Sequence, residues 1–180
     1  MSIDALSIEK RFSTPTRKGY RMPGPSDAIQ AANALQVVRP ELGTEAGIGL
    51  YRLLRLVALE EIIGRGIGGT VYIAGKRLGM SLGLESLEAF LDLCKQLKIG
   101  IIDVPKLTNT EAHIDVYECV TCSGMTPVGR TLCHFEGGLI AGVAESVLQQ
   151  PVRAIENTCI GGLGHKACGF DLTIGKDPHR

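Results

Sequence analysis

Apolar positions follow no steady rhythm over residues 1 to 43, where Pro15, Pro23, Pro25 and Pro40 stand among charges, and this stretch reads as an arm or peripheral segment. A short helix around Ala28 to Leu35 would place Ile29, Ala32 and Leu35 on one face. From Thr44 the pattern changes, and residues 44 to 180 read as the domain proper. Thr44 can cap a helix, Glu45 suits the positive first turn, and Leu50, Leu53, Leu54, Val57 and Ala58 recur at helical spacing. Ile48, Tyr51, Leu56, Leu59 and Ile62 widen this face beyond one stripe. A helix with so much apolar surface either runs through the core or is shared with a second subunit.

Downstream, the period alternates between helix and strand. Val71 to Leu84 fits a helix, with Gly75 and Gly79 on one face allowing a neighbour to pack closely. Leu87, Phe90, Leu91, Cys94 and Leu97 form a second helical face, ended by Gly100. Ile99 to Val104 reads as a strand closed by Pro105. Residues 113 to 120 alternate, with Ile114, Val116 and Val120 on one side and His113, Asp115, Tyr117 and Cys119 on the other. A helix from Phe135 to Gln149 is predicted to bury Phe135, Leu139, Val143 and Val147. An extended segment from Pro151 ends near Glu156, and a last strand puts Cys168, Phe170, Leu172 and Ile174 on one side. Helices first, then strands mixed with one helix, predict an α+β fold with an antiparallel sheet covered by helices on one face.

Composition narrows the function classes. The chain has 180 residues, enough for one domain with a real core, and its 19 basic and 19 acidic residues cancel. No broad field invites nucleic acid; the run Arg11, Arg17, Lys18 and Arg21 is the one local exception. Aromatics at 4% and no tryptophan leave few stacking platforms for single strands. Arg52, Arg55, Glu60 and Glu61 break the longest apolar candidate before the roughly 18 residues that a membrane span needs. With no apolar signal segment at its start, the chain reads as cytoplasmic. In a reducing compartment, the six cysteines (Cys94, Cys119, Cys122, Cys133, Cys159 and Cys168) point to metal or thiol chemistry instead of disulfides. Cys94 lies on an apolar helical face and reads as a small buried hydrophobe.

Several motifs carry no chemistry. Gly64 to Gly69 matches G-x-G-x-x-G, but it follows a helix where the dinucleotide fingerprint follows a strand, so it reads as a helix terminus and turn. Lys76 makes no P-loop, since the spacing from Gly69 is too long and Arg77 stands where Ser or Thr is needed. No nucleophile is paired with a base, and His113 and His179 read as surface residues. His134 and Glu136 read as support for a neighbouring site or as helix N-terminal charge.

The chemistry concentrates between Cys119 and Cys168. Cys133, Glu156, Cys159 and Cys168 offer three sulfurs and a carboxylate, a donor set that suits tetrahedral Zn²⁺ with every position filled and hence a structural role. A carboxylate drawn inward without such a partner would be strongly disfavoured. Cys119 and Cys122 form a competing C-x-x-C, readable as half a metal site or a redox pair. Together with Cys133, Cys159 and Cys168 they could instead ligate an iron–sulfur cluster.

The run YECVTCSGMTPVGRTLCHFEGGLIAGVAESV, continued by ENTCIGGLGHKACGF, closely resembles the 4-vinyl reductase domain family over roughly Val116 to Ile174. The resemblance implies zinc held by a Cys, a Glu three residues before a second Cys, and a third Cys beside a terminal Phe: Cys133, Glu156, Cys159 and Cys168. The family pattern encloses seven residues between its last two cysteines, whereas IGGLGHKA makes eight, so His165 is an alternative to Cys168. The resemblance also implies a fold shared with haem-nitric-oxide-binding domains and a vesicle-tethering subunit family, enclosing an apolar pocket. Some bacterial regulators use such domains to sense aromatic hydrocarbons, and other members accompany bacteriochlorophyll synthesis.

The expectation is a stand-alone, zinc-stabilised binding protein for a small hydrophobic molecule, a tetrapyrrole or aromatic compound, working as a homodimer through the helix from Thr44. Without an ATPase or DNA-binding segment it would act through a partner protein. One alternative is a 4-vinyl reductase or accessory enzyme of chlorophyll biosynthesis; lacking a nicotinamide or flavin fingerprint, it would need the iron–sulfur cluster. The other is an assembly scaffold for a pigment–protein complex.

Overall fold

Three consecutive helical pieces follow Gly47: α1 (Ile48–Arg52), a π-helical segment (Leu53–Ala58) and α2 (Leu59–Ile63). The computed structural model describes residues 36–43 and 45–175. The helix expected near Ala28, the basic run from Arg11, the cap at Thr44 and His179 lie outside the described residues. No residue from Ile48 to Ile63 is buried, which overturns a path through the core. Leu53, Leu54 and Val57 are 60%, 59% and 59% exposed, while Tyr51, Arg52 and Arg55 turn inward. The inward face is polar because it covers a polar loop, described below, and the wide apolar face is left outside.

Gly64 ends α2 at φ 89°, a conformation that glycine adopts without steric cost, and a 3₁₀ turn (Arg65–Ile67) leads into α3 (Gly68–Ser81). The G-x-G-x-x-G string is thus a break between helices. Gly68 lies against the ring of His134, where a Cβ would stand 2.8 Å from Cδ2.

The centre of the molecule is the crossing of α3 with α5 (His134–Leu148). Both helices bring glycines to it. A Cβ on Gly75 or Gly79 would fall 2.2 Å or 2.4 Å from the carbonyl oxygens of Phe135 and Leu139. One on Gly138 or Gly142 would fall 2.0 Å from those of Tyr72 and Lys76. Backbone meets backbone, so no side chain fits between. At the rim, Lys76 Nζ donates to Val152 O and pairs with Glu145 Oε2, both at 2.8 Å, and Ala154 N donates to Tyr72 Oη at 3.1 Å. Lys76 therefore ties helix to sheet.

Helix α5 is buried continuously from Glu136 to Ala144. The single face expected from Phe135, Leu139, Val143 and Val147 is too narrow, because α3 covers one side of the helix and the sheet the other. Helix α4 (Leu87–Gln96) starts at Ser86, whose Oγ accepts from Ala89 N at 3.1 Å. It buries Phe90, Leu93 and Cys94, with Leu91 and Leu97 left exposed, so its core face is turned from the one expected.

The sheet holds β1 (Ile101–Leu107), β2 (Glu111–Tyr117), β3 (Val152–Thr158) and β4 (Cys168–Ile174) in the order β1-β2-β4-β3, antiparallel throughout. It is the expected α+β architecture. Strand β1 does not stop at Pro105: it passes through it at a register irregularity between Asp103 and Lys106 on the sheet edge, where a missing N–H is tolerated. Cys168, Phe170, Leu172 and Ile174 all face the core. Val116 pairs with Cys168, Ile114 with Phe170, and Phe170 with Glu156. Directly opposed residues point to the same side, so register alone aims Glu156 inward. On the open face, His113 Nδ1 lies 2.5 Å from Asp171 Oδ1, and that hydrogen bond raises the imidazole's pKa. Among the described residues no helix is long and apolar enough to cross a membrane.

Candidate metal centre

Five of the six cysteines meet at one end of α5. Cys119 and Cys122 come from the turn after β2, Cys133 caps the N-terminus of α5, Cys159 follows β3, and Cys168 opens β4. All five are at most 1% exposed. Alternation alone puts Cys119 on the outer face of a longer strand. Instead the strand ends at Tyr117, and Glu118 at φ 50° turns the chain inward, bringing both cysteines of the C-x-x-C into the core. Ser123 N and Cys122 N then bond Cys119 O at 2.9 Å and 3.2 Å and close the turn.

The sulfur separations are those of ligands around a small cation. Cys119 to Cys133 is 3.6 Å, Cys122 to Cys133 3.5 Å, Cys122 to Cys168 3.3 Å, Cys133 to Cys168 3.7 Å and Cys122 to Cys159 3.9 Å. A tetrahedron with Zn–S near about 2.3 Å has edges of about 3.8 Å. Two four-donor sets have all their ligand atoms within 4.8 Å of one another: Cys119, Cys122, Cys133 and Cys168, and Cys133, Glu156, Cys159 and Cys168. Cys133 and Cys168 belong to both.

Glu156 is the second sign of a cation. Its Oε2 accepts from Cys133 N at 2.8 Å, but Oε1 is buried with no hydrogen-bond partner. Burial, reinforced by the contact with Cys159, pushes its carboxyl pKa up to about 9. A divalent cation at this point would reverse that preference and give the orphaned oxygen a partner. The residues present therefore fit a metal ion. His165 lies outside both donor sets, and its Nδ1 accepts from Cys159 N at 3.2 Å. The longer turn is accommodated by a single helical turn, α6 (Ile160–Leu163), and by Gly164 at φ 80°, which return the chain so that Ile160 N reaches Cys168 Sγ at 3.4 Å. Cys94 is buried elsewhere and its thiol is pushed up to about 12 by burial.

A polar cover, not foreseen from periodicity, closes the cysteine loop. Arg52 Nε donates to Val120 O at 2.8 Å, and Tyr51 Oη lies 3.3 Å from Thr121 Oγ1 and donates to Glu136 Oε1 at 3.2 Å. Thr121 Oγ1 donates to the same Oε1 at 2.5 Å. Arg55 stacks over the Phe135 ring at 5.2 Å and stands 3.7 Å from Glu136 Oε2. Arg130 pairs with Glu60 at 2.5 Å. Burial and the neighbouring Glu136 charge push the Tyr51 phenol up to about 12, so it serves as a donor. The signal for this cover in the sequence is the set of polar residues Tyr51, Arg52, Arg55 and Glu60 within a largely apolar helix.

Residues 112–174 match the 4-vinyl reductase domain. The chain belongs to the 4-vinyl reductase domain family. A protein of Methanocaldococcus jannaschii, MJ1642, is 34% identical over 134 residues, covering 74% of this chain and 81% of its own. Among solved structures, a vinyl-4-reductase family protein from the same organism superposes with a TM-score of 0.56 at 18% identity, covering 75% of this chain and 85% of that one. The phenol-responsive sensory domain of the transcription activator PoxR, solved with phenol, gives 0.57 at 13% identity over 72% of this chain and 75% of that one. The related folds also occur as expected. A trafficking protein particle complex subunit 3 from Naegleria fowleri, covalently bound to palmitic acid, gives 0.54 at 16% identity, covering 72% of this chain and 95% of that one. An H-NOX protein from S. oneidensis gives 0.51 at 13% identity over 84% and 83%. At these identities the fold of the 4-vinyl reductase domain is what is shared.

Proposed function

We propose that this 4-vinyl reductase domain protein is a binding protein for a small hydrophobic molecule, aromatic or tetrapyrrole, whose fold is fastened by zinc at Cys133, Glu156, Cys159 and Cys168. The observation that carries the ligand reading is the likeness to a sensory domain solved with phenol, in a chain that matches the family from β2 to β4. The three cysteines and the side chain of Glu156 are buried, and four protein donors leave no position for substrate, which favours a fastening over a catalytic centre. A reductase working through an iron–sulfur cluster is less well supported. A [4Fe–4S] cluster gives each thiolate its own iron and a [2Fe–2S] cluster gives each iron only two, so either spreads four thiolates wider than the 4.8 Å within which each donor set lies. The test is thermal unfolding and calorimetric titration of the metal-loaded protein with phenol and with protoporphyrin. Saturable binding with a raised melting temperature is expected for one class; no response to either removes the reading.

The exposed face of α1 and its π-helical continuation supports a homodimer. Leu50, Leu53, Leu54 and Val57 form an apolar patch of the kind that marks a protein interface. The wild-type chain is expected to sediment as a dimer at micromolar concentration, and Leu53→Glu with Val57→Glu as a folded monomer. A wild-type monomer at such concentrations would refute the dimer. Signalling would then pass to a partner protein through the same dimer.

A further inference from the structure

We propose that the cysteine nest holds two divalent metal ions, bridged by the thiolates of Cys133 and Cys168, with Cys119 and Cys122 completing one site and Glu156 and Cys159 the other. This rests on the metal-fastened reading above and deepens it. The two four-donor sets overlap in those two sulfurs alone, which lie 3.7 Å apart, the length of one tetrahedral edge. Two four-coordinate ions that share an edge require six donors, and the two sets together supply six: five thiols and one carboxylate.

Either single-ion arrangement leaves buried donors idle. An ion held by Cys119, Cys122, Cys133 and Cys168 leaves Glu156, whose side chain is 1% exposed, with an unpartnered oxygen aimed into the nest. An ion held by Cys133, Glu156, Cys159 and Cys168 leaves Cys119 and Cys122 fully enclosed with no partners except other thiols. Two ions engage every donor. Cys122 and Cys159, whose sulfurs lie 3.9 Å apart, would be terminal ligands of different ions. The C-x-x-C then has a defined place: it carries the terminal ligands of the second ion.

The experiment is metal-free, reduced protein titrated with Zn²⁺ and weighed by native mass spectrometry, with metal and sulfide analysis of the protein as purified. Two zinc ions per chain are expected. With ¹¹³Cd²⁺ in place of zinc, two cadmium resonances are expected, one shifted toward the all-sulfur range and one toward sulfur with oxygen. Cys119→Ser with Cys122→Ser is expected to bind one ion and lose the all-sulfur resonance. Saturation at one zinc in the wild type overturns the pair but leaves the single-zinc fastening standing, whereas no zinc overturns both. Iron with inorganic sulfide, or two ions retained in the double variant, also overturns it. Wild-type stoichiometry decides the matter even if the variant fails to fold.

Discussion

Gly142→Ala should cost the domain about 3 kcal/mol or more, at the upper end of what overpacking a well-filled core costs. The new methyl would stand 2.0 Å from Lys76 O and 3.0 Å from Lys76 Cα, so α3 and α5 would have to move apart. Neither contact is a flexible side-chain tip that could turn away. Separating the helices would also strain the Lys76 bonds to Val152 O and Glu145, which join the crossing to the sheet. Helix propensity alone argues the other way, since alanine is favoured over glycine by about 1 kcal/mol in a helix interior. Gly69 is the internal comparison: it lies in α3, a Cβ there meets nothing within 4 Å, and Gly69→Ala should be neutral or slightly stabilising. In a domain of this size the Gly142 variant should melt about 6–12 °C lower. Equal melting temperatures for Gly142→Ala and wild type would show that the helices do not meet as described.

That crossing is half legible in the sequence. The four-residue spacing of Gly75 and Gly79 announces a helix face that something approaches closely, but periodicity does not say which element fills it. The partner glycines Gly138 and Gly142 sit in a stretch so uniformly apolar that a single face can be drawn in several ways. The final strand is legible because alternation survives when one side is buried and the other is not. The helix from Ile48 is harder, because Leu50, Leu53, Leu54 and Val57 face outward while Tyr51, Arg52 and Arg55 turn inward, the reverse of the usual arrangement. Only the loop it covers explains that inversion. Cys119 departs from its expected place for a local reason: a left-handed residue at Glu118 ends the alternation where the sequence offers no glycine or proline to mark it.

The largest loss is expected from Cys133→Ser. Its sulfur lies in both donor sets, its N–H bonds Glu156, and its carbonyl accepts from Gly137 N at 3.0 Å in the first turn of α5. Structural zinc sites bind with about 10–16 kcal/mol, which matches or exceeds the roughly 5–15 kcal/mol by which ordinary domains are stable. Without the ion, five buried sulfurs lose the ligand that draws them together, and Glu156 is left buried with one oxygen unpartnered. The variant should therefore be recovered metal-free, with β3 and β4 poorly protected from hydrogen exchange and a melting temperature lower by well over about 10 °C. Chelation of the wild type should reproduce that state, and adding a chelator to the variant should change nothing further. Cys94→Ser provides the contrast: that thiol is equally buried but belongs to neither donor set, so the variant should keep its metal and lose only about 1–3 kcal/mol for burying a hydroxyl. A Cys133→Ser protein that retained wild-type metal content and melting would mean that the remaining donors hold the metal without Cys133, against its place in both donor sets.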